Sequence, residues 1–301
     1  MQRALGDAAP VASRRIAGRN PFVRWLSDWG PALPIIVISA TLLILPCLIM
    51  VRRSFAGPEG TGFTLDNWQS VLASASAWRA IGNTVMLAAT VATVATLVGG
   101  PLCWMLTRMT RGWRTLHMGL LTVANNFSGI GLAFGFMAAL GTYGMITLGL
   151  RSMGFDFTPP VPSGFVGLVI AYSYGFVPMY VLLTLPAMGL VRQDWWEACQ
   201  CCGASRPEFW RYVGLPMLLP YLGAGWILTF TSAIGQYALP LALSNSSMPA
   251  YPLITLDMSR NMLGSLFGSQ RMPVMAVILM IFAIVSLLAY RQLLKRGAKW
   301  L

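Results

Sequence analysis

The sequence predicts an all-α integral membrane protein with six transmembrane helices and both termini in the cytoplasm. Four observations carry that reading. Only 10% of the 301 residues are charged, whereas a soluble domain carries about 25%. Hydrophobic residues make up 56% and the mean hydropathy is +0.65, which leaves too little polar material for a water-facing surface. Six stretches approach the roughly 20 apolar residues that a spanning helix needs. Lysines and arginines are also divided unequally between alternate loops, as membrane topology signals are.

The spans fall at about residues 31–51, 81–107, 116–140, 164–185, 218–243 and 273–290. Ahead of them, residues 1–30 form a tail with Arg3, Arg14, Arg15, Arg19 and Arg24. It has no short apolar core of its own, so the first span reads as a permanent anchor and not a cleaved signal. The loop 52–80 contains Gly57, Pro58, Gly60 and Gly62, then a helical spacing through Trp68, Val71, Leu72 and Trp78. Those aromatics suggest a helix lying in the membrane interface. The loop 244–272 is polar at Asn245, Ser246 and Ser247 and amphipathic near 254–267. The N-terminal tail, the loops after the second and fourth spans and the C-terminal tail together hold fifteen Lys and Arg, and the remaining loops hold six. The richer side is cytoplasmic by the positive-inside rule, and an even number of spans places both termini there. Residues 31–301 read as a single transmembrane domain.

Composition also excludes. The net charge of +12 sits in short clusters between apolar stretches, which argues for membrane topology and against nucleic acid. Cys47 and Cys103 fall in spans, while Cys199, Cys201 and Cys202 crowd one loop. That is no disulfide framework, and three thiols on one short helix do not converge on an ion without other ligands. They read as small packing residues. Gly129, Gly131 and Gly135 lie in an apolar span with no preceding strand, which favours close helix packing over a nucleotide fingerprint. His117, the single histidine, reads as an interfacial residue. Pro178, Pro186, Pro220 and Pro240 mark possible kinks.

The most informative segment is 194–216, DWWEACQCCGASRPEFWRYVGLP. Asp194 with Glu197 three residues on, and Ser205 with Glu208, are two capping-box patterns. Gly203 between them supplies a residue able to take positive φ at a helix C-terminus. Pro207 suits a first turn, and Pro216 disfavours helix at Leu215. The expectation is a helix at about 195–202, a glycine turn, a second helix ending near Leu215, and then the fifth span. A connection that only crossed between spans would not need two capped helices, so this one reads as a rigid handle. On local physics alone, Trp195, Trp196, Phe209, Trp210 and Tyr212 suit equally well an aromatic belt at the membrane edge.

That segment resembles the signature loop of ABC-importer permeases, Glu-Ala-Ala-x-x-x-Gly followed at a fixed gap by a hydrophobic position and Leu-Pro. Here it reads Glu197, Ala198, Cys199 in place of the second alanine, Gly203-Ala204-Ser205, Trp210 where Phe is common, Val213 and Leu215-Pro216. Asn67-Trp68, Asn83-Thr84 and the fifth-span run from Phe230 to Tyr237 are similar to the same family. Its polyamine (spermidine/putrescine) branch is the most similar.

The resemblance implies a type I ABC-importer permease fold in the bacterial inner membrane, and an ATPase-coupling role for Asp194, Glu197, Ala198, Gly203, Ala204, Ser205, Phe209, Trp210, Leu215 and Pro216. It implies as partners a cytoplasmic ABC ATPase dimer, a second permease chain of different sequence, a periplasmic or lipid-anchored solute-binding protein, and membrane lipid. The sequence has no Gly-x-x-x-x-Gly-Lys-Ser/Thr phosphate loop, and its lysines are Lys295 and Lys299. The chain is therefore expected not to be an enzyme and to hold no cofactor, with ATP and Mg bound by the partner. The spans contain almost no ionisable side chains, so the pathway for a small polar solute falls to neutral groups: Asn125, Asn126, Ser128, Ser232, Gln236 and Tyr237. These same residues suit interhelical hydrogen bonds. The alternative is a secondary transporter or channel, a class marked by broken helices and mid-membrane charges, both of which look scarce here.

Overall fold

A computed structural model describes residues 30, 32–57, 62–155, 159–191, 193–244, 251–264 and 271–297. The basic tail through Arg24, the polar run Asn245–Ser247 and Lys299 lie outside these residues. The described chain is helical apart from turns and one isolated antiparallel bridge between Ala56 and Phe63. It divides into two compact units, residues 1–50 and 51–301.

In the first unit, helix α1 (Leu33–Ser54) begins and runs on as far as Ser54. It contains a π turn over Ala40–Ile44, two residues before Pro46. A wider turn of this kind relieves the clash between a proline ring and the carbonyl four residues earlier.

The second unit holds α2 (Asp66–Leu72), α3 (Ala75–Arg108), α4 (Arg111–Asn126), α5 (Ile130–Leu140), α6 (Met145–Ser152) and α7 (Phe165–Met188). Then follow α8 (Gln193–Cys201), α9 (Arg206–Ile234), α10 (Ala238–Leu243), α11 (Ile254–Gly264) and α12 (Arg271–Gly297). Among the described residues, six helices are long and apolar enough to cross a membrane. The 34 residues of α3 extend about 51 Å at 1.5 Å each, well beyond a hydrocarbon core of about 30 Å.

The bundle is built on α3 against α7, with α9 laid across both and α12 behind α9. Small residues allow the close approach. A β-carbon at Gly99 would stand 2.7 Å from the ring of Tyr180, and one at Gly225 would run into the methyl group of Thr184. Thr184 and Cys103 share a buried polar contact at 3.1 Å. With lipid outside, such packing and hydrogen bonding replace the hydrophobic effect as the force between helices.

Four expectations change. The third predicted span, 116–140, is not one helix: α4 stops at Asn126, the backbone turns through Gly129 at φ 69°, and α5 begins at Ile130. The apolar length sufficient to cross is instead Ile130–Ser152. Gly129 therefore serves a break, and the space beside Gly131 and Gly135 is bounded by Phe127. The fifth predicted span, 218–243, is interrupted after Ile234. No helix end falls at Leu215: a π turn over Trp210–Gly214 carries the chain past Pro216, so the second loop helix and the fifth span form one rod. Finally, α2 is not simply interfacial. Val71 is buried with Ala77, Ile254, Val274 and Met275, leaving Leu72 and Trp78 exposed.

Candidate functional site

Two sets of side chains were expected to carry function, one in the loop 194–216 and one along the spans. In the loop, α8 begins at Gln193, one residue before Asp194. Asp194 is therefore not the cap but an acid in the first turn, where the positive end of the helix dipole still favours it. The C-terminal end follows the reading closely. Gly203 sits at φ 78°, its N–H donates to the Gln200 carbonyl at 2.9 Å, and the Ala204 N–H reaches the Cys199 carbonyl at 3.0 Å. This bond pair is a Schellman motif.

Ser205 then caps α9. Its N–H donates to the Glu208 carboxylate at 2.7 Å, and its hydroxyl donates to the same oxygen at 2.7 Å. Asp194, Glu197, Ala198, Gly203, Ser205, Leu215 and Pro216 are exposed, and Ala204 is half-buried. Cys201 and Cys202 are exposed as well, so they are not internal packing residues as expected.

Trp196, Phe209 and Trp210 are covered instead, whereas Tyr212 is exposed. Phe209 is 5% exposed and meets Trp196 edge-on at 5.4 Å and Trp210 at 5.9 Å. Trp210 meets Trp104 of α3 edge-on at 6.1 Å and packs on the buried cluster of Cys103, Leu106, Val181, Leu185 and Leu218. The Arg108 guanidinium covers Trp104 at 4.2 Å, an arrangement favoured by the ring quadrupole. Sequence reasoning missed Trp104. Its spacing of four from Arg108, at the end of a span, was the available signal.

The second set converges on a cleft of about 210 Å³ lined by Asn125, Ser128, Ser232 and Gln236. Tyr172, Phe176 and Met179 of α7 also line it; the aromatic pair four residues apart was the one signal for them in the sequence. Two of the six candidates lie elsewhere. The Asn126 amide donates to the Thr122 carbonyl within α4, and the Tyr237 hydroxyl pairs with Ser259 at 2.8 Å.

The cleft lies where two helices break, between α4 and α5 and between α9 and α10, whose second halves α5 and α10 pack on each other. Irregular backbone at membrane depth is tolerated where it lines a cavity. Broken helices are therefore present, contrary to expectation. Thr255 ties down one break by donating to the Gln236 carbonyl at 3.2 Å. The start of α11 is held by Asn83, which donates to the Pro252 carbonyl at 3.0 Å, and by Thr84, which accepts from Ile254 N–H at 3.0 Å. Asn67 likewise donates to the Ala56 carbonyl at 2.8 Å. These polar pairs account physically for residues noted only as familial.

The second unit thus holds a polar cleft between broken helices, and the described residues include six helices long and apolar enough to cross a membrane, the architecture of a multi-pass membrane protein. No family model matches the chain. It is 31% identical over 157 residues to the sulfate transport system permease protein CysT of Salmonella typhimurium, covering 50% of this chain and 54% of that one. It is 28% identical over 191 residues to the probable ABC transporter permease protein y4fN of Sinorhizobium fredii, covering 60% and 32%. The chain thus spans about a third to a half of the length of these two relatives. Against the spermidine/putrescine transport system permease protein PotC of Escherichia coli, identity is 26% over 251 residues, 82% of this chain and 87% of that one. The fold matches a chain of a bacterial ABC transporter involved in the import of the acidic polysaccharide alginate, with a TM-score of 0.65 and 16% identity, over 93% of this chain and 99% of that one. The chain is thus similar in sequence to several ABC-transporter permeases and shares its fold with a chain of an ABC importer, and its described residues include six helices of membrane-crossing length, as in a multi-pass membrane protein.

Proposed function

We propose that this chain is the membrane subunit of an ATP-driven importer, forming the pathway for a small polar solute of the polyamine kind delivered by an external binding protein. The observation that carries this reading is the loop 193–209. Two short helices are fixed by a Schellman turn at Gly203 and by the Ser205–Glu208 pair, with Glu197, Ala198 and Gly203 turned outward. An exposed, internally fixed handle suits a groove on a partner ATPase, because a soft loop would absorb the displacement. On this reading the loop and both termini are cytoplasmic, ATP and Mg sit on the partner, and a second, different permease completes the pathway.

The cleft suits low-affinity passage. Its amide and hydroxyl groups offer hydrogen bonds without a fixed charge, so affinity resides in the binding protein. The relatives named for spermidine/putrescine and for sulfate frame the choice of solute, and the polyamine branch has the longer coverage of the chain.

The test is capture. The tagged chain, extracted in mild detergent, is compared with a Glu197→Arg, Gly203→Val variant by mass spectrometry of co-purifying proteins. An ABC ATPase present with wild type and lost from the variant is the expected result. No ATPase with either form would sink the importer reading and leave gradient-driven transport by the chain alone.

A further inference from the structure

Besides its chain connection to α7, the loop has two routes from its C-terminal side into the bundle. The first is the continuous rod of α9, which passes from Arg206 through the π turn into the fifth span. The second is a file of rings in edge contact, from Trp196 on α8 through Phe209 and Trp210 on α9 to Trp104 near the end of α3. Each step is edge-to-face, at interplanar angles of 73°, 78° and 77°, the geometry that the ring quadrupoles favour. Both ends carry a cation: Arg206 lies 5.8 Å from the Trp196 ring and Arg108 lies 4.2 Å from the Trp104 ring.

Trp210 is also fixed from behind. A β-carbon at Gly214 would stand 2.7 Å from its ring, so the ring lies close against the π turn in space that only a glycine at 214 leaves. A contact between flexible side chains at this position would dissipate movement, whereas a wedged ring passes it on.

We infer that Trp104 and Trp210 are positioning residues that carry displacement of the loop into the end of α3, so that the second and fifth spans move together when a partner ATPase closes. The inference rests on the importer reading above. Without the ring contact, the loop would still dock and still drive α9, but the end of α3 beyond Gly99 would not follow the loop.

Hydrogen exchange measured by mass spectrometry tests this without knowledge of the solute. The purified permease–ATPase complex is compared with and without ATP plus vanadate, for wild type, Trp104→Leu and Trp104→Phe. The expected result in wild type is a nucleotide-dependent change in exchange both at 206–214 and at 99–110. Trp104→Leu keeps the first change and loses the second, and Trp104→Phe, which retains an aromatic edge, recovers it. Exchange at 99–110 that responds equally in wild type and Trp104→Leu overturns the inference, as does a wild-type response confined to 206–214. Loss of the ATPase from Trp104→Leu alone overturns it too, by assigning the residue to docking. Absence of the ATPase from the wild-type sample overturns the importer reading, and this inference falls with it.

Discussion

The ring of Tyr180 lies against Gly225, 3.0 Å from where a β-carbon of that residue would stand, while its hydroxyl donates to the Leu222 carbonyl at 3.2 Å. The same ring covers Gly99 on its other side. One side chain of α7 therefore sets the separation of α3 and α9, the two helices that the loop reaches. Replacing Gly225 with Leu forces the backbones apart, and overpacking of this kind costs about 1–3 kcal/mol. The expected outcome is a lowered melting temperature for the detergent-solubilised protein, partly restored by adding Tyr180→Ala. An unchanged melting temperature in the single variant would show that the contact is not tight.

Gly203 has open space around a would-be β-carbon, so its requirement is conformational and not steric. At φ 78° a residue with a β-carbon is disfavoured by about 1–2 kcal/mol, while asparagine tolerates this region better. Gly203→Val is expected to speed hydrogen exchange over 193–209 and abolish ATPase capture, with normal insertion into the membrane. Gly203→Asn should stay close to wild type. Equal behaviour of the two variants would remove the Schellman turn from the coupling account.

The apolar windows overlap the helices of membrane-crossing length because length and hydropathy decide both, although the third and fifth windows each run across a helix break. The loop is legible for a different reason: its signals, Gly203, Ser205 and Glu208, are local polar rules that tertiary context does not override. What the sequence conceals are the breaks. Phe127–Gly129 and Gly235–Tyr237 interrupt helices with only one glycine and one polar residue each, Ser128 and Gln236, a weak signal inside an apolar window; Thr255 supplies part of what the second break lacks. Pro216 misleads in the opposite sense. The rule that proline ends a helix assumes α geometry, and the π turn ahead of it removes the clash. The cleft is half legible: polar residues in apolar spans flag Asn125, Ser128, Ser232 and Gln236, but nothing in the sequence separates them from Asn126 and Tyr237, which face elsewhere.

Asp257 on α11 gives a pH test. Burial raises its carboxyl above the ordinary value of 3.8, and the nearby Arg260 and Arg271 only partly offset this. The folded protein thus holds this proton more tightly than the unfolded chain does. Stability from this group is greatest below the unfolded value and is lost as pH rises through the raised one. Asp257→Asn is expected to raise the melting temperature at neutral pH, with the gain shrinking as pH falls toward 4. A gain that is constant with pH, or a loss at neutral pH, would mean that the arginine pairing outweighs burial.

The two groups of polar candidates separate in a transport assay. Ser232 lines the cleft, so Ser232→Trp fills space that a solute must cross. Tyr237 spends its hydroxyl on Ser259, and Tyr237→Phe removes a hydrogen bond with a net contribution of about 0.5–1.5 kcal/mol without entering the cleft. In cells expressing the whole system, uptake of radiolabelled spermidine is expected to vanish in Ser232→Trp at normal membrane abundance and to persist in Tyr237→Phe. Asn126→Ala should resemble Tyr237→Phe, since its amide is used within α4. Persistent uptake in Ser232→Trp would move the pathway out of the cleft. Uptake of labelled sulfate but not spermidine by the wild type would keep the pathway and overturn the polyamine assignment, because a cleft of neutral amides and hydroxyls admits either sign of charge and leaves the choice to the binding protein.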